Sequence, residues 1–300
     1  MNTRGLPFVK GHGTENDFVL IPDIEGRLRL SAAAVAAICD RRAGIGGDGI
    51  LRVVATEAEP DAAQYRGAAR WFMDYRNADG SIAEMCGNGI RVFARYLVDA
   101  GLEPAGLIPI ATRGGVRTVD CPASGSITVD MGPAQFPDLG EITVRVGERT
   151  WAARAVFMPN PHAVVFVDDL AEAGDLRSAP LVTPAEAYPD GVNVEFVVRV
   201  GPGHLALRVH ERGSGETRSC GTGICAAAVA AGRAGGPDGY LVDVPGGRLA
   251  ITETDTTVFM TGPAELVATG EWHGDIGWSA DASAWDATEQ TATAVGTGSA

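Results

Sequence analysis

The sequence predicts a mixed α/β chain of the α+β type, in which sheets are wrapped round one or two central helices. Three observations predict this class: many short segments of strand-like apolar pattern, few helical segments, and an order of motifs in the first half that recurs in the second. Residues 1–131 and 132–272 are therefore expected to form two pseudo-symmetric domains. Residues 273–300 are expected to be mostly a disordered tail, because they end in a patternless Ala-, Thr-, Ser- and Gly-rich stretch.

Strands are predicted where apolar residues alternate with polar ones, or form a short apolar run bounded by turn residues. In chain order, the segments with this pattern are 18–23, 49–54, 69–75, 126–132, 163–169, 194–200, 204–211, 240–247, 249–254 and 257–262.

Helices are predicted over three segments. Residues 31–42 begin with Ser31, a candidate N-cap. Residues 90–101 place apolar side chains at three- and four-residue steps and stop at Gly101. Residues 223–236 are small and apolar throughout, which is typical of a buried central helix.

Charge and hydropathy exclude two classes of partner. The formal net charge is −14, whereas a nucleic-acid-binding protein needs a basic face. No apolar run is long enough to span a bilayer, and the N-terminus lacks the apolar core of a signal peptide. We therefore expect a cytoplasmic protein that acts on a small molecule, with no nucleic-acid or membrane partner.

The five cysteines do not have the spacing of a disulfide framework or a zinc site. None forms a CxxC pair, and no pair of histidines lies near them, so no metal site is predicted. Cys39, Cys121 and Cys225 are expected to be small buried hydrophobic residues.

The other two cysteines head a repeated motif. Cys86 begins CGNG and Cys220 begins CGTG, and a helical pattern follows each of them. Asn77 lies nine residues before Cys86, and Glu211 lies nine residues before Cys220. The shared spacing indicates an ancient duplication, which would give each domain one cysteine-headed helix.

A helix N-terminus offers unpaired backbone N–H groups and the positive end of the helix dipole, so a carboxylate can bind there. Glycine lets the ligand approach the backbone closely. The same field lowers the pKa of a thiol, which predicts some thiolate near neutral pH at both motifs. Two such units acting on opposite faces of one α-carbon could remove a proton from one face and return it to the other.

The long segments around these motifs resemble the diaminopimelate epimerase family, in its actinobacterial form, and the resemblance runs along most of the chain. The matching segments are GHGTENDFVLIPD, CDRRAGIGGDGIL, MDYRNADGSIAEMCGNGIRVFARYL, NPHAVVFVDDL, PDGVNVEFV and RVHERGSGETRSCGTGICAAA.

The resemblance implies two similar domains, each with a mixed sheet curled round a central helix. It implies an enzyme that needs neither pyridoxal phosphate nor a metal and interconverts LL-2,6-diaminopimelate and meso-diaminopimelate, on the route to lysine and peptidoglycan. The family is often homodimeric. By resemblance, Cys86 and Cys220 are the catalytic base and acid, with roles that exchange in the reverse reaction.

The resemblance also implies two sets of substrate-binding residues. Those at the reacting end are Asn16, Asn160 and the positions whose backbone amides hold the carboxylate: Gly87, Asn88, Gly221 and Thr222. Those that bind the distal amine and carboxylate are Asn77, Asn193, Glu211 and Arg212. An Arg suits a planar carboxylate and a Glu suits an ammonium group.

Three alternatives remain open at this point. A racemase of another amino acid would keep both cysteines but would not need Arg212 and Glu211. A phenazine-biosynthesis-type isomerase shares the architecture but does not use the paired cysteines. A non-catalytic protein that binds a diamino acid would need the carboxylate site and not the thiols.

Overall fold

The computed structural model describes residues 5–274 and confirms the predicted fold class. The chain divides into two compact units. Within the described residues, the first contains 5–13, Asp17–Val129 and 263–274, and the second contains Thr14–Asn16 and Asp130–Gly262. No helix within residues 5–274 is long and apolar enough to cross a membrane. The predicted tail lies, from residue 275 onward, outside the described residues.

The first unit is a mixed sheet with two α-helices. Its strands are β1 (Leu6–Gly13), β2 (Asn16–Pro22), β3 (Gly49–Ala55), β4 (Trp71–Asn77), β5 (Gly106–Thr112), β6 (Gly115–Cys121), β7 (Ile127–Asp130) and β18 (Glu265–Trp272). Its helices are α1 (Ala32–Cys39) and α2 (Gly87–Asp99), and two 3₁₀ segments cover Thr56–Ala58 and Pro60–Tyr65.

Helix α2 is the central helix of the first unit. Every residue from Gly87 to Leu97 is buried, and the helix contacts strands on several sides, namely β1, β3, β4, β6 and β18. It ends where Gly101 adopts a left-handed φ of 67°, a conformation that glycine takes without strain. A residue at its N-terminus is therefore held firmly by the surrounding sheet.

Helix α1 is shorter than the predicted segment 31–42. Ser31 is the N-cap as predicted, and its side chain accepts a hydrogen bond from the Ala34 amide. The helix stops at Cys39 because Asp40 leaves the helical conformation. The Asp40 carboxylate then accepts bonds from the Arg42 and Ala43 amides, which form a turn in place of further helix.

The second unit is a second mixed sheet around one α-helix. Its strands are β8 (Ile142–Val146), β9 (Arg149–Phe157), β10 (Pro161–Phe166), β11 (Leu181–Thr183), β12 (Asn193–Gly201), β13 (His204–Glu211), β14 (Gly215–Thr217), β15 (Gly239–Val244), β16 (Gly247–Glu253) and β17 (Val258–Gly262). Its α-helix is α3 (Gly221–Gly232), and 3₁₀ segments cover Leu170–Ala173 and Ala185–Ala187.

The two units repeat one strand topology, as the pseudo-symmetry prediction requires. In the first unit β2 pairs parallel with β3, β3 antiparallel with β4, and β4 parallel with β5. In the second unit β10, β12, β13 and β15 pair in the same order and directions. Phe18 pairs with Gly49 in the first unit and His162 pairs with Asn193 in the second, so positions in β2 and β3 can be matched to positions in β10 and β12.

The last strand departs from the predicted division, which placed residues 132–272 together. Strand β18 pairs antiparallel with β1, for example Leu6 with Trp272, and so belongs to the first unit. The physical reason is that the edge of β1 has backbone donors and acceptors that need a partner, and the returning chain supplies it.

A buried ionic cluster lies within the first unit. Asp74 is fully buried and accepts bonds from Arg52 Nε at 2.9 Å and Arg113 Nη1 at 2.8 Å. Burial alone would raise the pKa of Asp74, but the positive charges of Arg52, Arg76 and Arg113 outweigh it and hold the pKa below its ordinary value. The carboxylate is therefore ionised and needed to balance the buried arginines.

We predict that Asp74→Asn lowers the free energy of unfolding by about 3–5 kcal/mol at pH 7, because it leaves buried guanidinium groups under-compensated. A carboxylate with a depressed folded-state pKa stabilises the fold above its unfolded pKa of about 3.9, and loses that contribution as the pH falls. The difference between the variant and the wild type should therefore shrink below about pH 4. Urea unfolding at both pH values measures it.

The matched control for this prediction is Asp61→Asn. Asp61 also binds Arg113, at 2.9 Å, but its side chain is 56% exposed. We expect a loss below about 1 kcal/mol, as is usual for an exposed ion pair. Equal losses for the two variants would contradict the role given to the buried carboxylate.

Candidate active site

Cys86 is the N-cap of the central helix α2. Its backbone is extended, with φ −137° and ψ 121°, and its Sγ accepts a hydrogen bond from the Gly89 amide at 3.4 Å. Gly87 and Asn88 are the first two helical residues, and both are buried. The thiol, which is partly exposed, therefore lies beside the first-turn amides, where an anion binds most favourably.

Asn77 ends strand β4, at the start of the connection to Cys86. Its side-chain amide donates to Ser81 Oγ at 2.9 Å, and its backbone N–H donates to the Ser81 carbonyl. Gly80 closes the turn with a left-handed φ of 85°, and an added Cβ there would lie 2.4 Å from Ala32 Cα. A side chain at position 80 would thus displace the segment that holds Asn77.

Cys220 occupies the equivalent position at the start of α3. Its backbone is also extended, with φ −114° and ψ 109°, and the helix begins at Gly221. The Cys220 Sγ lies 3.5 Å from Thr222 Oγ1. The Glu211 carboxyl group, at the end of β13, makes hydrogen bonds with the Cys220 thiol and the Thr217 hydroxyl. The structure thus brings together Cys220, Glu211 and Thr222.

The prediction of a lowered thiol pKa is wrong for Cys220. Burial, and then the negative charges of Glu211 and Glu195, raise its pKa well above the ordinary value. The Thr222 hydroxyl and the Gly223 amide act in the opposite direction but do not compensate. Burial likewise raises the pKa of Glu211 itself. In this state Cys220 is a protonated thiol, which suits a proton donor.

We predict that Glu211→Gln lowers the pKa of the Cys220 thiol, because it removes one of the two carboxylates that disfavour the thiolate. The ultraviolet absorbance of the thiolate during a pH titration measures this, with Cys220→Ser identifying the contribution of Cys220. Glu216→Gln is the control, since Glu216 binds Arg208 on the surface and should not affect the titration. An unchanged titration in Glu211→Gln would contradict the prediction.

Asn193 and Arg212 also lie together. The Asn193 side-chain oxygen accepts a bond from the Arg212 amide at 2.8 Å, which joins the start of β12 to the end of β13. The Arg212 guanidinium is exposed and donates to the Asp190 carbonyl at 3.0 Å. A Cβ at Gly191 would lie 3.0 Å from Arg212 Cδ, so this glycine allows the side chain to pack against the loop.

Asn16 is the first residue of strand β2 and directly follows a strained turn. The two preceding residues, Thr14 and Glu15, have left-handed φ angles of 50° and 61°, which are uncommon away from glycine. Thr14 Oγ1 lies 2.7 Å from Ser219 Oγ, and both residues are buried. This contact ties the turn to the residue directly before Cys220, and backbone strain of this kind is frequent at functional sites.

Two buried residues were missed in the sequence. His162 Nδ1 lies 2.6 Å from Glu195 Oε1, and His162 Nε2 lies 3.0 Å from Asn160 Oδ1. His162 and Glu195 are fully buried. The signals were a His two residues after Asn160, and a Glu within the otherwise apolar run of β12. Among residues 5–274, no cluster of three or more His, Cys, Asp or Glu side chains has the arrangement of a metal site.

Solved structures share this fold at low sequence identity. A hydroxyproline epimerase from Agrobacterium vitis is 16% identical, with a TM-score of 0.64, and the alignment covers 90% of this chain and 93% of that one. A PhzF-family phenazine biosynthesis protein from Bacillus anthracis is also 16% identical, with a TM-score of 0.64 and coverage of 90% and 99%. At this level of identity the comparison establishes the fold alone.

Closer relatives establish more than the fold. The family model for diaminopimelate epimerase matches residues 8–137 and 154–267. The diaminopimelate epimerase of Streptomyces coelicolor is 60% identical over 287 residues, covering 93% of this chain and 98% of that protein. The enzyme from Thermobifida fusca is 50% identical over 270 residues, with coverage of 89% and 97%. These relatives thus identify the chain as an isomerase, and specifically as an epimerase. The chain belongs to the diaminopimelate epimerase family.

Proposed function

We propose that this enzyme interconverts LL-2,6-diaminopimelate and meso-diaminopimelate by transferring the α-proton between two cysteines. The observation that carries the proposal is the equivalent placement of Cys86 and Cys220, each an extended N-cap of the central helix of its unit. The relatives with 60% and 50% identity bear the name of this activity. The same assignment predicts a place in lysine and peptidoglycan precursor synthesis, a cytoplasmic location and a homodimer.

The proton balance requires one thiolate and one thiol. The thiolate removes the α-proton, and the electron pair of the C–H bond delocalises into the α-carboxylate. The thiol then donates its proton to the opposite face of the carbon, so the two sulfurs end with exchanged protonation states. Cys220, whose pKa is raised, enters the cycle as the donor, and Cys86 therefore acts as the base in that direction.

The α-proton of an amino acid is a very weak acid, so the charge that develops on the carboxylate must be stabilised. Backbone amides at Gly87, Asn88, Gly221 and Thr222 lie in the first turns of α2 and α3. Helix N-termini of this kind stabilise negative charge without reorganisation during the reaction. No cofactor is needed in this scheme, because the two helix termini supply the electrostatic stabilisation.

Selection for a diamino diacid is assigned to Arg212 and to the side chains of Asn193 and Asn77. The Arg212 guanidinium matches the distal carboxylate, and the side-chain oxygens of Asn193 and Asn77 suit the distal ammonium group. The Asn193–Arg212 hydrogen bond supports this assignment, because it fixes two of these residues relative to each other. We assign Glu211 instead to the reacting end, because its carboxyl group bonds to the Cys220 thiol.

The test is an NMR assay of the reduced protein with LL-diaminopimelate in deuterated water. We expect the meso isomer to form with deuterium at one α-carbon, without added pyridoxal phosphate or metal. Absence of exchange under reducing conditions would refute the diaminopimelate assignment, and a screen of other amino acids for α-proton exchange would then identify a racemase of different specificity.

A further inference from the structure

Asn160, His162 and Glu195 form a buried chain of hydrogen bonds in the second unit that the proton-transfer scheme above does not use. The His162 ring lies between the Glu195 carboxylate, at 2.6 Å from Nδ1, and the Asn160 side-chain oxygen, at 3.0 Å from Nε2. His162 and Glu195 have no solvent exposure. Such a pair has a large desolvation cost, so its presence needs a physical reason.

The first unit has apolar residues at the equivalent positions. By strand register, His162 corresponds to Phe18, and Glu195 corresponds to Leu51. Phe18 and Leu51 are also fully buried. The repeated fold therefore does not require an ionic pair at this position, because the first unit is built without one.

In each unit, this pair of residues packs against the first turn of the helix that follows the cysteine. A Cβ added at Gly89, in α2, would lie 3.3 Å from Leu51 Cδ2 and 3.4 Å from Phe18 Cζ. A Cβ added at Gly223, the equivalent residue of α3, would lie 2.5 Å from Glu195 Oε1. The carboxylate thus contacts the first turn of α3, three residues after the catalytic cysteine.

The hydrogen-bond partners specify the protonation of the ring. An ionised carboxylate only accepts, so Nδ1 must donate to Glu195. The Asn160 oxygen also only accepts, so Nε2 must donate as well. A ring that donates from both nitrogens is an imidazolium, and its charge balances that of Glu195. Because Asn160 uses its oxygen here, its NH₂ group is left to donate to a substrate oxygen.

We propose that Glu195 is a positioning residue, which keeps His162 as an imidazolium and thereby orients the Asn160 amide at the reacting end of the substrate. This inference rests on the proposed function for the role of Asn160, and on the structure alone for the state of His162. The proposed positioning role belongs to the second unit alone. Within the described residues, the equivalent positions of the first unit are the apolar residues Phe18 and Leu51.

The groups around the pair are consistent with this charge distribution. Burial, and then the Glu195 charge, raise the pKa of Tyr188 to about 12. The charge of His162 lowers the pKa of Glu211, opposing the effect of burial. Within residues 5–274, Glu195 Oε2 is buried without a hydrogen-bond partner, so the bond from His162 to the other oxygen provides the main compensation for the buried carboxylate.

The direct test is NMR of the ¹⁵N-histidine-labelled full chain at pH 8, with His162→Asn used to assign the signal among the five histidines. We expect protons on both ring nitrogens of His162 in the wild type, and on one nitrogen in Glu195→Gln. A neutral His162 ring in the wild type would overturn the proposal, since Asn160 would then present its NH₂ group to the ring.

Kinetics test the positioning role. We expect Glu195→Gln to lower kcat by about 100-fold, because misplacing a substrate-orienting group by about an ångström has effects of this size. We expect KM to change by less than about threefold, since the loss falls on the transition state. Val197→Ala, which truncates a fully buried side chain two residues along β12, is the control for lost stability and should retain activity. If kcat falls no further in Glu195→Gln than in Val197→Ala, the proposal is wrong.

A double variant separates positioning from packing. His162→Phe with Glu195→Leu copies the first unit's residues into the second, and replacing a buried ion pair by apolar side chains is often neutral for stability. We expect a folded protein with a melting temperature near that of the wild type and a kcat as low as that of Glu195→Gln. A folded double variant with wild-type kcat would overturn the proposal. If this variant does not fold, Glu195→Gln and the NMR experiment decide.

The outcomes also separate this inference from the proposed function. A wild-type protein that contains the His162 imidazolium but does not exchange the α-proton of diaminopimelate would refute the function and leave the Glu195–His162 assignment standing. An active wild-type enzyme with a neutral His162 would refute the inference alone.

Discussion

Replacing either Cys86 or Cys220 by Ala is expected to abolish epimerisation of diaminopimelate, with kcat lowered by about 10²–10⁴-fold or more. Each thiol has a separate task, since one removes the α-proton and the other delivers a proton to the opposite face. A single remaining cysteine cannot complete the inversion. Deuterium incorporation and meso-isomer formation, followed together by NMR, measure the loss for each variant.

Cys225→Ala is the matched control. Cys225 is a fully buried cysteine of the same helix as Cys220, and its replacement should affect stability modestly and leave the turnover near that of the wild type. Substrate binding, measured by calorimetry, should persist in both Ala variants of the catalytic pair. If either variant retained a large fraction of turnover, a one-base mechanism or a purely ligand-binding role would replace the proposal.

Arg212→Ala is expected to produce the second-largest loss, a decrease in kcat/KM that corresponds to about 2–5 kcal/mol, the usual effect of removing one partner of a hydrogen-bonded charge pair. The guanidinium provides a planar set of donors for the distal carboxylate, and the Asp190 carbonyl and the Gly191 turn hold it in place. Arg212→Lys keeps the charge without the planar donor set, so we expect an intermediate loss. Steady-state kinetics with LL-diaminopimelate measure both.

Arg248→Ala provides the comparison, because Arg248 is a half-exposed arginine of the same unit that binds Asp243. We expect its kinetics to be unchanged. Full activity in Arg212→Ala would favour the alternative left open by the sequence, a racemase whose substrate has no distal carboxylate.

Strong local patterns were sufficient to predict much of the fold. The strand of residues 204–211 was predicted at its observed bounds, and the other strands predicted from alternation are present with ends shifted by a few residues. Strands with interrupted patterns were missed. Pro7 and Gly11 interrupt the pattern of β1, and Pro109 interrupts that of β5, just outside the short stretch where β5 pairs with β4. Backbone pairing made by the tertiary fold overrides weak local propensity in these segments.

The sequence pattern also could not predict which strand β18 pairs with. Alternation indicates that a segment is a strand but does not identify its partner, and a division at residues 131 and 132 follows naturally from chain order. Only the pairing of Leu6 with Trp272 shows that the chain returns to the first unit. Which distant strands pair with each other depends on the geometry of the whole sheet.

The sequence by itself determined the family, the repeated cysteine-headed helices and the residue types of the proposed site, because these depend on motif and spacing. Only the tertiary structure decided the state of those residues. A helix N-terminus favours a thiolate, yet Cys220 has a raised pKa, because burial and two carboxylates from β12 and β13 outweigh the helix. The buried pair of His162 and Glu195 likewise arises from a parallel pairing of strands far apart in the chain. The charge state of each group depends on its burial and on its distance from other charges in space. Neither quantity can be read from the spacing of residues along the chain.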